Sequence, residues 1–150
     1  MVEEFMLLMS EQRQMEVIRK TNVCAGKYGL VLSDGDIKEL LQKRRECLSF
    51  WQRVEFGPGI LDKIIFAFCD SDYIYQGNYA ETIERLQEIF YLYKNESMDE
   101  LTDDELISLM REAFDHECQG SLEYLEETYL EQFAREIRKE SRRFIGRYRK

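Results

Sequence analysis

Hydrophobic residues recur along most of the chain with the 3.6-residue period of an α-helix. In one stretch, Ile37, Leu40, Leu41, Leu48 and Trp51 fall on a single helical face. The same period returns in five other stretches, and the pattern therefore predicts six amphipathic helices. They cover residues 10–25, 33–51, 60–68, 78–93, 102–119 and 121 to 144 or beyond.

Residues typical of helix starts precede three of these stretches. Ser33 is placed to cap the second helix. Thr102 with Glu105, and Asn78 with Glu81, have the spacing of a capping box, in which two residues three apart satisfy each other's backbone donors. Residues 28–32 read as a short extended piece, and no other segment reads as its strand partner. The sequence predicts an all-α fold, a single domain over residues 1–150 built as an irregular or orthogonal bundle of about six helices.

Charge is unevenly distributed along the chain. The net charge is −9, yet residues 135–150 contain eight basic and two acidic residues, so the preceding residues carry −15. A strongly acidic body favours solubility and disfavours non-specific binding to nucleic acid or to anionic lipid.

Cysteine usage and the amino terminus indicate a cytoplasmic protein. The four cysteines are far apart in sequence and lie in or next to helical patterns, where a free thiol packs as a small hydrophobic group. The chain starts without the basic segment of a signal peptide, and no apolar run approaches the roughly 20 residues that span a bilayer. We expect reduced thiols and no membrane association.

Candidate catalytic and metal-binding motifs are weak. His116 is the only histidine, and its acidic and cysteine neighbours point in different directions on a helix, so we expect it to face solvent. The segment that begins at Asp70 resembles a calcium loop but has Tyr75 where the sharp turn needs glycine. Gly-rich pieces lack the strand or the lysine of nucleotide-binding loops. We therefore predict no metal, no cofactor and no catalytic residue.

Two charged surfaces and one aromatic run remain as candidate binding features. The basic residues of 135–150 interleave with Phe144 and Tyr148, a composition that also occurs in nucleic-acid-binding tails. The same residues suit a helix carboxyl end, or fold back on the acidic body, or solvate a frayed end. Acidic residues cluster between 96 and 105, at the start of the fifth helix. Tyrosines at 73, 75 and 79 line a groove or cover the helix edges.

Three stretches together resemble a family of small proteins of unknown function from Gram-positive anaerobic bacteria. They are residues 53–57, residues 68–71 and the segment from Asn78-Tyr79 through Phe90-Tyr91 to residues 94–96. The resemblance covers most of the chain and implies a bacterial cytoplasmic protein. It brings no activity, cofactor or catalytic residue with it.

The absence of a catalytic constellation and the charge polarity favour a protein-binding or regulatory module that associates with a protein partner or with itself. The predicted contact residues are Arg142, Arg143, Arg147 and Tyr148, with the acidic start of the fifth helix as the complementary surface. Nucleic-acid binding through the basic end is one alternative. A carboxylate-based enzyme or a metal-binding protein is the other.

Overall fold

The structure is a computed structural model that describes the backbone of residues 2–55, 57 and 59–148 and the side chains of residues 11–55, 57 and 59–140. The main helices are α1 (Val2–Ala25), α2 (Asp34–Phe50), α3 (Leu61–Phe68), α4 (Tyr79–Glu96) and α5 (Asp103–Asp115). The last helix has three parts that follow one another directly: α6 (Leu122–Tyr124), a π-helical turn (Leu125–Tyr129) and α7 (Leu130–Tyr148). Short 3-10 turns lie at Gly26–Tyr28 and Gln76–Asn78. The described residues contain six helical stretches and no strand, which confirms the all-α prediction.

Two compact units divide the chain within α4, unit 1 at Met1–Glu88 and unit 2 at Ile89–Lys150. Each unit is described by itself below. The prediction of a single domain stays a prediction.

Capping residues define the starts of α2 and α5 as the sequence predicts. The Ser33 hydroxyl accepts from the backbone N–H of Asp36 at 3.1 Å, and the Asp36 carboxylate accepts from the N–H of Ser33 at 3.0 Å. Thr102 and Glu105 make the same reciprocal pair at 3.1 and 3.3 Å. Both pairs satisfy helix donors that have no partner inside the helix.

Asn78 does not act as predicted. Its side chain accepts from the backbone N–H of Tyr75 at 2.9 Å and donates to the carbonyl of Tyr73 at 3.2 Å. The amide therefore stabilises the turn before α4 and does not pair with Glu81 at the helix start. An asparagine before a helix has several backbone groups within reach, and here the preceding ones have taken both ends of its amide.

The core of unit 1 forms where α1 packs against α2 and α3. The side chains of Ile18, Leu41, Ile64 and Phe68 are almost completely removed from solvent. Each fully buried aliphatic or aromatic side chain contributes roughly 1.5–3 kcal/mol of favourable transfer free energy. Arg44 is also buried, and its guanidinium donates to the carbonyl of Glu55 at 3.0 Å.

Two side-chain amides hold the extended residues 31 and 32 in unit 1. The Asn22 amide donates to the carbonyl of Leu32 at 3.0 Å and accepts from its N–H at 2.8 Å. The Gln76 amide does the same for Val31, at 3.0 and 2.8 Å. The extended piece that the sequence predicts thus satisfies its backbone with side chains in place of a strand.

Unit 2 encloses α5 and the π-helical turn around the second half of α4. Phe90, Tyr91, Met110 and Phe114 are fully buried there. The nearly buried Tyr93 hydroxyl donates to the backbone carbonyl of Glu126 in the π-helical turn. This bond ties the irregular turn to α4.

Candidate functional site

An acidic cleft of about 320 Å³ lies in unit 1 between the start of α2 and the start of α4. α2 contributes Asp36 and Glu39, and α4 contributes Glu81 and Glu84. The remaining lining residues are Leu40, Gln76, Gly77 and Ala80. Four carboxylates therefore face one cleft whose lining contains no basic side chain.

The same capping and clamping interactions that shape unit 1 also position the cleft. Asp36 is held by its capping pair with Ser33, and Gln76 is held by its two hydrogen bonds to Val31. Two walls of the cleft are thus fixed by local hydrogen bonds. Glu39 and Glu81 are exposed at the surface, where an approaching molecule can reach them.

Burial and like charge leave the cleft with a deficit of positive charge. Burial raises the pKa of the Glu84 carboxyl, and the charges of Glu88 and Glu39 act in the same direction. Lys43 opposes this effect on the pKa from a distance of 3.8 Å, but its ammonium lies closer to Glu88, at 3.2 Å, and to Glu46, at 3.5 Å. A cationic group bound in the cleft would favour the ionised form of all four carboxylates.

The predicted contact residues Arg142, Arg143, Arg147 and Tyr148 lie outside the residues whose side chains the structure describes. The helix α7 that carries them extends to Tyr148. Their proposed role stays a prediction.

Two earlier residues of the basic segment are engaged within unit 2. The Arg138 guanidinium pairs with the carboxylates of Glu96 and Glu131, and Arg135 pairs with Glu131 at 3.1 Å. These two arginines fold back on acidic neighbours, which is one of the readings that the sequence left open. Their charges are already compensated, and this weakens the nucleic-acid alternative for this part of the segment.

The acidic start of α5 is partly occupied as well. Asp103 pairs with Lys94 at 2.9 Å, and Glu105 is used in the capping pair with Thr102. Lys94 also donates to the carbonyl of Leu101. The carboxylates that the sequence singled out as a complementary surface therefore serve the local structure of unit 2.

The other candidate residues do not converge on a site. His116 is exposed and caps the end of α5. Tyr73 and Tyr75 are exposed, whereas Tyr79 is buried. Among the side chains that the structure describes, no group of three or more His, Cys, Asp or Glu residues is arranged to hold a metal ion.

The acidic cleft was missed at the level of sequence although a signal for half of it is present. Asp36 and Glu39 are three residues apart, as are Glu81 and Glu84, and residues at that spacing lie on one helical face. Each pair alone looks like an ordinary solvated helix face. Only the packing of α2 beside α4 joins the two pairs.

No helix in the described part of the chain is both long enough and apolar enough to cross a membrane. The expectation of a cytoplasmic location stays a prediction.

Comparison with known proteins places the chain in a family. The family described as "Family of unknown function (DUF6323)" matches residues 17–143, and the chain belongs to it. This confirms the resemblance to a family of unknown function, while the expected bacterial source stays a prediction. No curated protein and no solved structure matches the chain.

Proposed function

We propose that this member of the DUF6323 family is a protein-binding module that takes a basic protein segment into the acidic cleft of unit 1. The observation that carries the proposal is the set of four carboxylates, from Asp36, Glu39, Glu81 and Glu84, around one cleft with no basic side chain in its lining. A guanidinium or ammonium group complements such a surface through charge-assisted hydrogen bonds.

The character of the cleft favours a charged segment over a small apolar ligand. Pockets for small molecules are typically lined by hydrophobic and aromatic side chains and span roughly 300–1,000 Å³. This cleft lies at the lower end of that range and offers only Leu40 and Ala80 as apolar contacts. Its recognition chemistry is that of carboxylates.

The occupant that we propose is the basic end of a second copy of the chain. Residues 139–150 carry six basic residues and one acidic residue, including the predicted contact residues Arg142, Arg143 and Arg147. Arg135 and Arg138, which precede them, are compensated within unit 2 and stay outside the proposed contact. Opposite charges steer such an encounter and set its register, and salt weakens it.

Sedimentation equilibrium of the full chain and of a chain truncated after Glu140 tests this proposal. The truncation removes the proposed contact residues and keeps the ion pairs of Arg138. We expect the full chain to associate at about 50 mM salt and to dissociate at about 500 mM, where the Debye length falls well below 10 Å. The truncated chain should stay monomeric with unchanged helical content per residue in the circular dichroism spectrum of its remaining part.

Two results would overturn the proposal. One is a full chain that is monomeric at every salt concentration. The other is self-association that the truncation leaves unchanged, since that association would then use a different surface.

A further inference from the structure

Two cysteine thiols meet at one end of unit 1. Cys24 lies in the last turn of α1, and Cys69 follows directly after α3. The helices α1 and α3 pack against each other, and the two thiols are in hydrogen-bond contact. The Cys69 thiol also approaches the carbonyl of Phe66, at 3.9 Å. Residues 45 positions apart in sequence thus place their sulfur atoms side by side.

The two thiols differ in access to solvent. Cys24 is half-buried, while Cys69 is buried with 3% of its surface exposed. Burial raises the pKa of the Cys69 thiol to about 11, and the charge of Cys24 acts in the same direction. An oxidant in solution therefore reaches Cys24 first and finds Cys69 protonated behind it.

A third polar group lies beside this pair. Tyr79, at the start of α4, is buried, and its hydroxyl has no hydrogen-bond partner. Its phenol interacts electrostatically with both Cys69 and Cys24. A buried hydroxyl without a partner is costly and uncommon in folded proteins, and here it is available to donate to an oxygen atom introduced next to it.

We propose that Cys24 and Cys69 form an oxidation site at which a peroxide converts the thiol pair into a disulfide within unit 1. The inference is independent of the proposed binding function. The oxidant is a hydroperoxide, with hydrogen peroxide as the simplest example.

The reaction has two balanced steps. In the first, the sulfur of Cys24, as the thiolate, attacks one peroxide oxygen, the O–O bond breaks, and a sulfenic acid forms while the other oxygen leaves as water or an alcohol. In the second, the sulfur of Cys69 attacks the sulfenic sulfur. The S–O bond breaks, the oxygen leaves as water with the proton of Cys69, and the disulfide forms. Two thiols are oxidised and one peroxide is reduced. The Tyr79 hydroxyl donates to the sulfenic oxygen between the two steps.

The other two cysteines serve as internal comparisons. Cys47 is buried in α2, where burial raises the pKa of its thiol to about 11, and its charged neighbours are Glu88, Lys43, Glu46 and Glu84. Cys118 is buried in unit 2. Neither shows the contact with a second thiol that joins Cys24 and Cys69.

The test is peptide mapping of the intact chain after treatment with a small excess of hydrogen peroxide. We expect two of the four thiols to disappear and one intramolecular cross-link to appear, between the peptides that contain Cys24 and Cys69. A reductant such as dithiothreitol should restore all four thiols. Because the mapping uses the unmodified chain, its result does not depend on whether a variant folds.

Three variants sharpen the result. Cys69→Ser should trap a sulfenic acid on Cys24 that a dimedone probe labels, while Cys24→Ser should leave Cys69 reduced. The Cys47→Ala/Cys118→Ala double variant is the matched control and should still form the cross-link. Tyr79→Phe should slow cross-linking several-fold, and an unchanged rate would remove Tyr79 from the proposal.

A different pattern of oxidation would overturn the site itself. Cross-links that join separate molecules, or that involve Cys47 or Cys118, contradict it. So does a chain that keeps Cys24 and Cys69 reduced while other thiols react.

Discussion

The side-chain amide of Asn22 makes both of the hydrogen bonds that a neighbouring strand would make to Leu32. It donates to the carbonyl of Leu32 at 3.0 Å and accepts from its N–H at 2.8 Å. Leu32 is buried, with 2% of its surface exposed, so water does not reach these backbone groups easily. One side chain on α1 therefore satisfies an extended residue ten positions later in the sequence.

Replacing Asn22 with alanine should lower the free energy of unfolding by about 3 kcal/mol, because it leaves a buried donor and a buried acceptor unpaired. Urea denaturation followed by circular dichroism measures this change. Gln76→Ala is the matched control. It removes the same two bonds from Val31, which is 52% exposed, so water replaces them and the expected loss is about 1 kcal/mol. Equal losses for the two variants would contradict this role of Asn22.

Lys94 links the end of α4 to the start of α5 in unit 2. Its ammonium pairs with Asp103 at 2.9 Å and donates to the carbonyl of Leu101, and its side chain is 10% exposed. Lys94→Met keeps the apolar stem but removes both contacts, and we expect a loss of about 2 kcal/mol in the free energy of unfolding. Lys43→Met, which removes ion pairs at a more exposed position, should cost less than about 1 kcal/mol. A loss for Lys94→Met no larger than that for Lys43→Met would show that the link contributes little.

Tyr93 makes stability depend on pH in the alkaline range. Burial, assisted by the negative charges of Glu131 and Glu126, raises the pKa of Tyr93 to about 12, above the value of about 10 for an unfolded chain. The folded state therefore holds the phenolic proton more tightly. The corresponding stability is complete below pH 10 and is lost as the pH rises from about 10 to 12.

The variant Tyr93→Phe tests this dependence. It loses the hydrogen bond to the Glu126 carbonyl, at a cost of about 1 kcal/mol at neutral pH, and it loses the phenol that titrates. The free energy of unfolding, measured by urea titration between pH 8 and 11.5, should then fall less steeply in the variant than in the unmodified chain. Parallel curves would show that Tyr93 ionises equally easily in both states.

Local features were predictable from the sequence, and contacts between distant segments were not. The capping pairs Ser33–Asp36 and Thr102–Glu105 were predicted because both partners lie within one helical turn. Asn22 was grouped with the apolar face of its helix because its partner at Leu32 is outside that helix. The long connection from Gln76 to Val31 left no trace in the pattern.

The acidic cleft was unpredictable for the same physical reason. The helical period places Asp36 beside Glu39 and Glu81 beside Glu84, but it does not say which helices become neighbours. The predicted acidic surface at the start of α5 instead turned out to be used locally, by Lys94 and Thr102. Charge clusters in the sequence thus locate acidic segments without showing which of them remain available to a partner.

The proposed binding site is tested most directly by titrating a fluorescent peptide of residues 139–150 with the chain truncated after Glu140, because the truncated chain has no competing segment of its own. The readout is fluorescence anisotropy at low salt. The double variant Glu39→Gln/Glu81→Gln neutralises two exposed carboxylates of the cleft. Glu112→Gln/Glu136→Gln makes the same change of charge at two exposed positions outside it and is the matched control.

The account predicts that the peptide binds, that the cleft variant binds about tenfold more weakly through the loss of two charge contacts of roughly 0.7 kcal/mol each, and that the control variant binds like the unmodified receptor. A peptide that fails to bind at low salt, or an equal loss of affinity in both variants, would contradict the assignment of the cleft.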